Sequence, residues 1–182
     1  MVTTKLATAD DLAALPDDGF WNYELIRGEI RKMAPAGEGH GRIASRMMRP
    51  LFALEDSLGG EVLSADTGYF IEYEPDTVLA PDAAFVQRDQ LRPVGEVAGF
   101  SRSVPLLVIE VKSPSESMRE VLEKVDIYRR AGVPLIWVAL PATQTVLVDG
   151  VGRERQTLGI SDTLDGGDIL PGLRVPISDI FR

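Results

Sequence analysis

Two acids and a lysine interrupt apolar runs where charge is costly. Asp82 follows Pro81 at the head of Ala83-Ala84-Phe85-Val86, and Glu110 and Lys112 break into Leu106-Leu107-Val108-Ile109-Glu110-Val111-Lys112. Alternate side chains of a strand share a face, which sends Leu106, Val108, Glu110 and Lys112 one way and Leu107, Ile109 and Val111 the other. A carboxylate and an ammonium at the end of a buried strand are expensive to desolvate unless paired, hydrated or bound to an ion. A divalent cation shared by Asp82 and Glu110 is the simplest relief, with Lys112 facing an anionic substrate. Phosphodiester hydrolysis needs an activated water and neutralisation of the charge growing on phosphorus and the leaving oxygen, and a divalent metal supplies both. Asp82 and Glu110 are therefore candidate metal ligands, with the Val111 carbonyl a possible third. Lys112 would orient or deprotonate the water, or contact the phosphate. The bland alternative is a plain buried Glu110–Lys112 ion pair, which Asp82 at the start of a neighbouring strand makes less attractive.

The elements that must position these residues are legible from period and punctuation. Thr8 to Leu15 reads as a short capped helix ended by Pro16. Tyr23 to Ile26 and Glu29 to Met33 read as a hairpin, because Gly28 can supply the positive φ that its two-residue turn demands. An amphipathic helix is expected from about Gly41 to Leu58, with Ile43, Met47, Leu51, Leu54 and Leu58 on one side and Arg42, Arg46 and Arg49 in a basic stripe. Pro50 should kink or break it. Residues 61 to 86 carry strand signals that suggest a meander ending at Asp82, and residues 87 to 103 read as a loop. The strand at 104 to 112 precedes a helix from about Ser115 to Ala131 that buries Met118, Val121, Leu122, Val125 and Tyr128. Gly132 stops it, and the apolar strand Val133 to Leu140 follows. Strand, helix and strand in succession predict a right-handed crossover between parallel neighbours. Thr145 to Val148, turned by Asp149-Gly150, is expected to add an edge hairpin.

Other charged residues have weaker claims. Lys124 lies at the edge of its helix's apolar stripe and could reach over the end of the sheet, or snorkel its charge to water. His40 could donate to a phosphate near the N-terminus of the basic helix, although an exposed loop histidine is the commoner outcome. Glu24 and Glu29 read as cross-strand partners of nearby arginines more readily than as extra ligands. The Arg42, Arg46 and Arg49 stripe is more often a solvated helix face than a track for DNA.

Composition bounds these readings. A chain of 182 residues is near the usual size of one domain, taken here as residues 1–182 without a linker. No apolar run approaches the roughly 18 residues needed to cross a bilayer, and residues 1 to 20 lack a basic start followed by an apolar block. A cytoplasmic protein without membrane contact is the expectation. The absence of cysteine excludes disulfides and thiolate ligands, so oxygen donors and His40 must hold any metal, which favours Mg2+ or Mn2+. A formal net charge of −9 argues against non-specific coating of nucleic acid but leaves room for a local basic groove. The charge is uneven: six basic residues lie between Arg27 and Arg49, and none between Pro50 and Gln87.

These fragments, in order, resemble the Uma-type restriction endonucleases, a bacterial group within the PD-(D/E)xK superfamily. The likeness runs from Tyr23 to Ile30 through His40-Gly41-Arg42-Ile43, Pro81-Asp82 to Val86, and Val108 to Ser115. It continues with Lys124, Tyr128 and Ala131-Gly132-Val133, then Trp137-Val138, and ends with Leu170 to Pro176. It implies a restriction-endonuclease-like fold of the α/β (α+β) class, a central mixed sheet flanked by helices with an N-terminal hairpin extension. Asp82, Glu110 and Lys112 fall on the superfamily's metal-binding and catalytic positions. Many relatives lack a lysine two residues after the acid and use one from the following helix, whereas this chain has both Lys112 and Lys124. His40, Arg42, Arg46 and Tyr128 are candidate substrate contacts, and pairing into homodimers is implied because two sites cut two strands. The leading expectation is thus a Mg2+- or Mn2+-dependent endonuclease acting on DNA. The alternatives are a silent nuclease-like binding module and a hydrolase of small phosphoesters.

Overall fold

The apolar strands assemble into one large sheet and one small one. A computed structural model describes residues 6–16, 21–96 and 99–182. In chain order the elements are α1 (Ala9–Ala13), β1 (Asn22–Ile26), β2 (Glu29–Met33), α2 (Glu38–Phe52), α3 (Glu55–Leu58), β3 (Gly60–Ser64), β4 (Tyr69–Glu72), β5 (Thr77–Leu79) and β6 (Ala83–Gln87). They continue with β7 (Leu107–Val111), α4 (Met118–Arg130), β8 (Leu135–Leu140), β9 (Thr145–Asp149), β10 (Gln156–Leu158), β11 (Thr163–Asp165), β12 (Arg174–Pro176) and α5 (Ile177–Phe181). The large sheet has the order β10-β9-β8-β7-β6-β3 and the small one β2-β1-β5-β4, while β11 and β12 form a separate pair.

In the large sheet β7 and β8 run parallel and every other neighbouring pair is antiparallel. The crossover between β7 and β8 is α4, as strand, amphipathic helix and strand required. Period-two alternation divides the core. Ala83, Phe85, Leu107, Ile109, Val111 and Trp137 pack with Ile43, Met47 and Leu51 of α2 and with Leu170 and Ile180 of the C-terminal elements. Val108, Ile136 and Val138 point the other way, against Val121, Val125 and Tyr128 of α4, where Ile26 and Leu79 of the small sheet join them. A charge placed between Val108 and the end of β7 on this second face therefore meets α4 and the small sheet.

Several boundaries differ from the sequence expectations. The expected meander does not form, because β3 pairs directly with β6 while β4 and β5 make a hairpin in the other sheet. The basic helix starts earlier and is divided: α2 carries Pro50 within its last turn, ends at Phe52, and α3 follows. The helix expected from Ser115 starts at Met118, since Ser117 accepts from the Glu120 amide and Glu120 accepts in return from Ser117, a reciprocal capping box. The hairpin turn holds Arg27 as well as Gly28 at positive φ. Within the expected loop 87–103, Arg88–Gln90 and Val94–Glu96 form short 3-10 turns, and residues 97 and 98 lie outside the described residues. The edge hairpin forms as expected, with β9 and β10 antiparallel at the end of the large sheet.

Candidate active site

Asp82 and Glu110 are brought together by the β6–β7 register. Ala83 opposes Ile109 and Ala84 opposes Val108, so Asp82, the residue before β6, lies at the end of β7 that carries Glu110. Asp82 sits just before β6, where its Oδ2 accepts from the Val111 amide at 2.7 Å and lies 3.3 Å from His40 Nε2. Glu110 Oε1 accepts from the Tyr128 hydroxyl at 2.8 Å. Among the described residues, Asp82 Oδ1 and Glu110 Oε2 accept no hydrogen bond. Each carboxyl group thus has one oxygen fixed by the protein and one left over.

The ammonium beside Glu110 comes from α4. Lys124 Nζ lies 2.9 Å from Glu24 Oε2, 3.7 Å from Glu116 Oε1 and 3.9 Å from Glu110 Oε1, with only 9% of its side chain exposed. Lys112, by contrast, follows the last residue of β7, and its ammonium donates to the Ser113 carbonyl at 3.0 Å. The expected Glu110–Lys112 juxtaposition is therefore replaced by Glu110–Lys124. The strand ends at Val111, which frees Lys112 from the alternation that would have held it beside Glu110.

Glu24, disfavoured above as a site residue, and Glu116, not singled out there, both enter the cluster. Glu24 shares a face of β1 with Ile26, is 1% exposed, and accepts from the Ala80 amide at 3.1 Å through its other oxygen. It is not the partner of Arg31, its near neighbour across the hairpin, which instead bonds Glu123 at 2.8 Å. An acid between Tyr23 and Leu25 in a strand was the available signal. Glu116 is fixed by the Ser113 amide at 2.8 Å in the turn that leads into α4. His40 was expected as an exposed loop residue but lies in the first turn of α2, with 16% of its side chain exposed.

Burial and charge set the protonation tendencies. Burial pushes Glu110 up to about 8; Lys124 opposes this, while Asp82 and Glu24 add to it. For Lys124 burial works against the charge, yet Glu110, Glu24 and Glu116 outweigh it and hold the ammonium above the ordinary lysine range. His40 is raised chiefly by its hydrogen bond to Asp82, against the effect of burial. Tyr128 is raised, first by burial and then by Glu110.

A divalent cation fits the donor chemistry. Asp82 and Glu110 each present a free oxygen, the Val111 carbonyl is adjacent, and a buried carboxyl that keeps its proton near neutral pH will exchange it for a cation. Among the described residues no three His, Asp or Glu side chains converge as a complete metal cage, so carbonyl and water oxygens would complete the set, as is usual for Mg2+. Arg42 and Arg46 lie on α2, beyond His40. Arg42 is 3.7 Å from Glu38, and Arg46 donates to the Ile180 carbonyl at 3.0 Å.

Comparison with known proteins agrees with this architecture. The chain superimposes on a crystal structure titled "a putative nuclease belonging to DUF820" from Anabaena variabilis ATCC 29413. The TM-score is 0.81 and the identity 21%, covering 96% of this chain and 97% of that one. At that identity the likeness establishes the fold, which is restriction-endonuclease-like with a mixed central sheet. No curated protein gives a significant match. Among the described residues no helix is long and apolar enough to cross a membrane. Residues 9–178 match the Uma2 family, described as "Putative restriction endonuclease", and the chain belongs to that family.

Proposed function

We propose that this protein is a Mg2+- or Mn2+-dependent nuclease that hydrolyses phosphodiester bonds, with DNA as its substrate. One observation carries the proposal: Asp82 and Glu110 lie at the same end of the β6–β7 pair, each with one oxygen tied down and one free, beside a buried ammonium. When bound, the cation supplies a water of lowered pKa and a positive charge for the phosphoryl oxygens. Asp82 and Glu110 would hold it, with the Val111 carbonyl at hand.

The surrounding residues fix this arrangement. The Val111 amide and His40 orient Asp82, and the Tyr128 hydroxyl orients Glu110. Glu110 when ionised, together with Glu24 and Glu116, keeps Lys124 charged, so it acts as a fixed positive charge that positions water or phosphate and not as a proton acceptor. Lys124 takes the lysine role in this reading, and Lys112 does not. Paired chains would supply two sites for the two strands of a duplex.

The test is calorimetric titration of Mn2+ and Mg2+ into the wild type and the Asp82→Ala/Glu110→Ala double variant, followed by a cleavage assay on supercoiled and linear DNA. Saturable binding in the wild type alone, with metal-dependent cleavage lost in the variant, is the expected result. If the two proteins titrate alike and DNA stays intact, the acids are structural. The net charge of −9 then favours a nuclease-like binding module as the second reading.

A further inference from the structure

A cavity of about 220 Å³, bounded by β4, the segment before β7 and the end of α4, is lined in part by Tyr128, whose hydroxyl donates to Glu110. Its volume falls below the roughly 300–1,000 Å³ of ligand pockets for drug-sized molecules, which suits a single planar ring system. Phe70 and Tyr73 form one rim, their ring centroids 4.3 Å apart. Above them lies the Arg102 guanidinium, 4.9 Å from the Phe70 ring and 5.4 Å from the Tyr73 ring, with no carboxylate partner among the described residues. Tyr73 is 64% exposed at this rim. Tyr69 also lines the cavity but is 1% exposed, with its hydroxyl shielded from the open space.

We propose that this cavity binds one nucleobase, stacked at the Phe70–Tyr73 rim, with Arg102 taking the attached phosphate. Aromatic faces and a guanidinium plane are the surfaces on which bases stack, and Arg is the residue suited to phosphate. Tyr128 is a wall of the cavity and also the donor to Glu110, so a bound base would sit one side chain away from the carboxylates. The choice of a nucleobase over another planar heterocycle rests on the nuclease reading above. The base has two sources, a free nucleotide or a base unstacked from a single strand.

Binding of AMP, adenosine and a single-stranded oligo-dA to the full chain, measured in EDTA by calorimetry and competition, tests this. AMP should bind saturably, and Tyr73→Ala should weaken it roughly tenfold or more. Arg102→Ala should remove the advantage of AMP over adenosine. Displacement of oligo-dA by AMP would identify a strand as the source, and binding of AMP alone a free nucleotide. The proposal is overturned if neither AMP nor oligo-dA binds, or if Tyr73→Ala and Arg102→Ala bind AMP as the wild type does. Because the binding is read without metal, DNA cleavage in the absence of AMP and oligo-dA binding sinks this proposal alone. Binding without cleavage sinks only the nuclease reading.

Discussion

Lys124 Nζ lies 2.9 Å from Glu24 Oε2, an ion pair between α4 and the small sheet in which the two side chains are 9% and 1% exposed. Breaking such a buried pair from one side strands the other charge, at a cost of about 3–5 kcal/mol. Lys124→Met should therefore lower the denaturation midpoint sharply, since it leaves Glu24, Glu110 and Glu116 without their shared cation. Adding Glu24→Gln to Lys124→Met should recover part of the loss. Urea unfolding of the two variants measures the difference, and equal midpoints would show that Glu24 is not coupled to Lys124.

The two lysines should separate in an activity assay. Lys124 touches Glu110 and Lys112 does not, so Lys112→Ala should keep most of any metal-dependent cleavage. Lys124→Gln, closer in length than alanine, should lose about two orders of magnitude or more, as when a preorganised charge is removed from a transition state. Single-turnover rates at saturating Mn2+ give the comparison. The opposite ranking would return the role to Lys112.

The contrast between these lysines shows what a sequence can convey. Asp82 and Glu110 stand out because charge inside an apolar strand has few explanations, and alternation alone assigns Glu110 to the face of Val108. Lys112 misleads by the same alternation, which stops applying where β7 ends at Val111. Lys124 sits at an edge of a helical stripe, where snorkelling to water looks the same as reaching a site. Glu24 and Glu116 depend on how the small sheet and the turn before α4 dock, which no local period encodes. The β4–β5 hairpin departs from the expected meander for a related reason: strand pattern reports which segments are extended but not which sheet they join. The parallel pairing of β7 and β8 across α4 is legible because it follows from connection length and covered faces.

Glu110 makes stability depend on pH in a direction opposite to that of most acids. An unfolded glutamate ionises near 4.5, whereas the folded site holds its proton up to about 8. Between those values the folded state binds the extra proton, so this contribution is complete below 4.5 and is lost as pH rises towards 8. Thermal melts of the wild type should decline over that window, and Glu110→Gln should decline less. Saturating Mg2+ should restore the wild type at pH 8, because the cation replaces the proton. Parallel wild-type and Glu110→Gln profiles would remove Glu110 as the cause.

Gly150 should not accept a side chain. Its φ of 149° is unfavourable for other residues, and an added Cβ would stand 2.1 Å from the Pro134 carbonyl oxygen at the start of β8. Strain and overpacking together should cost Gly150→Ala about 2–4 kcal/mol. Chemical denaturation would register this as a lower midpoint with an unchanged slope. A neutral result would mean that the β9–β10 connection shifts away from Pro134.

The arginines of α2 supply the last prediction. Arg42, Arg49 and Arg182 all act on Arg46, whose affinity for its proton is lowered first by burial and then by these neighbours. Like charges gathered in this way repel one another, and a polyanion laid across them relieves the repulsion. Arg42 and Arg49 are exposed, whereas Arg46 already spends one donor on the Ile180 carbonyl. If DNA crosses this face, Arg42→Ala and Arg49→Ala should each weaken binding across all sequences and reduce the slope of log K against log salt by about 1. Arg46→Ala should in addition lower stability, because it removes the tie to the C-terminal helix. Filter-binding isotherms between low and moderate salt separate these effects. Unchanged slopes in both exposed variants would move the DNA track off α2.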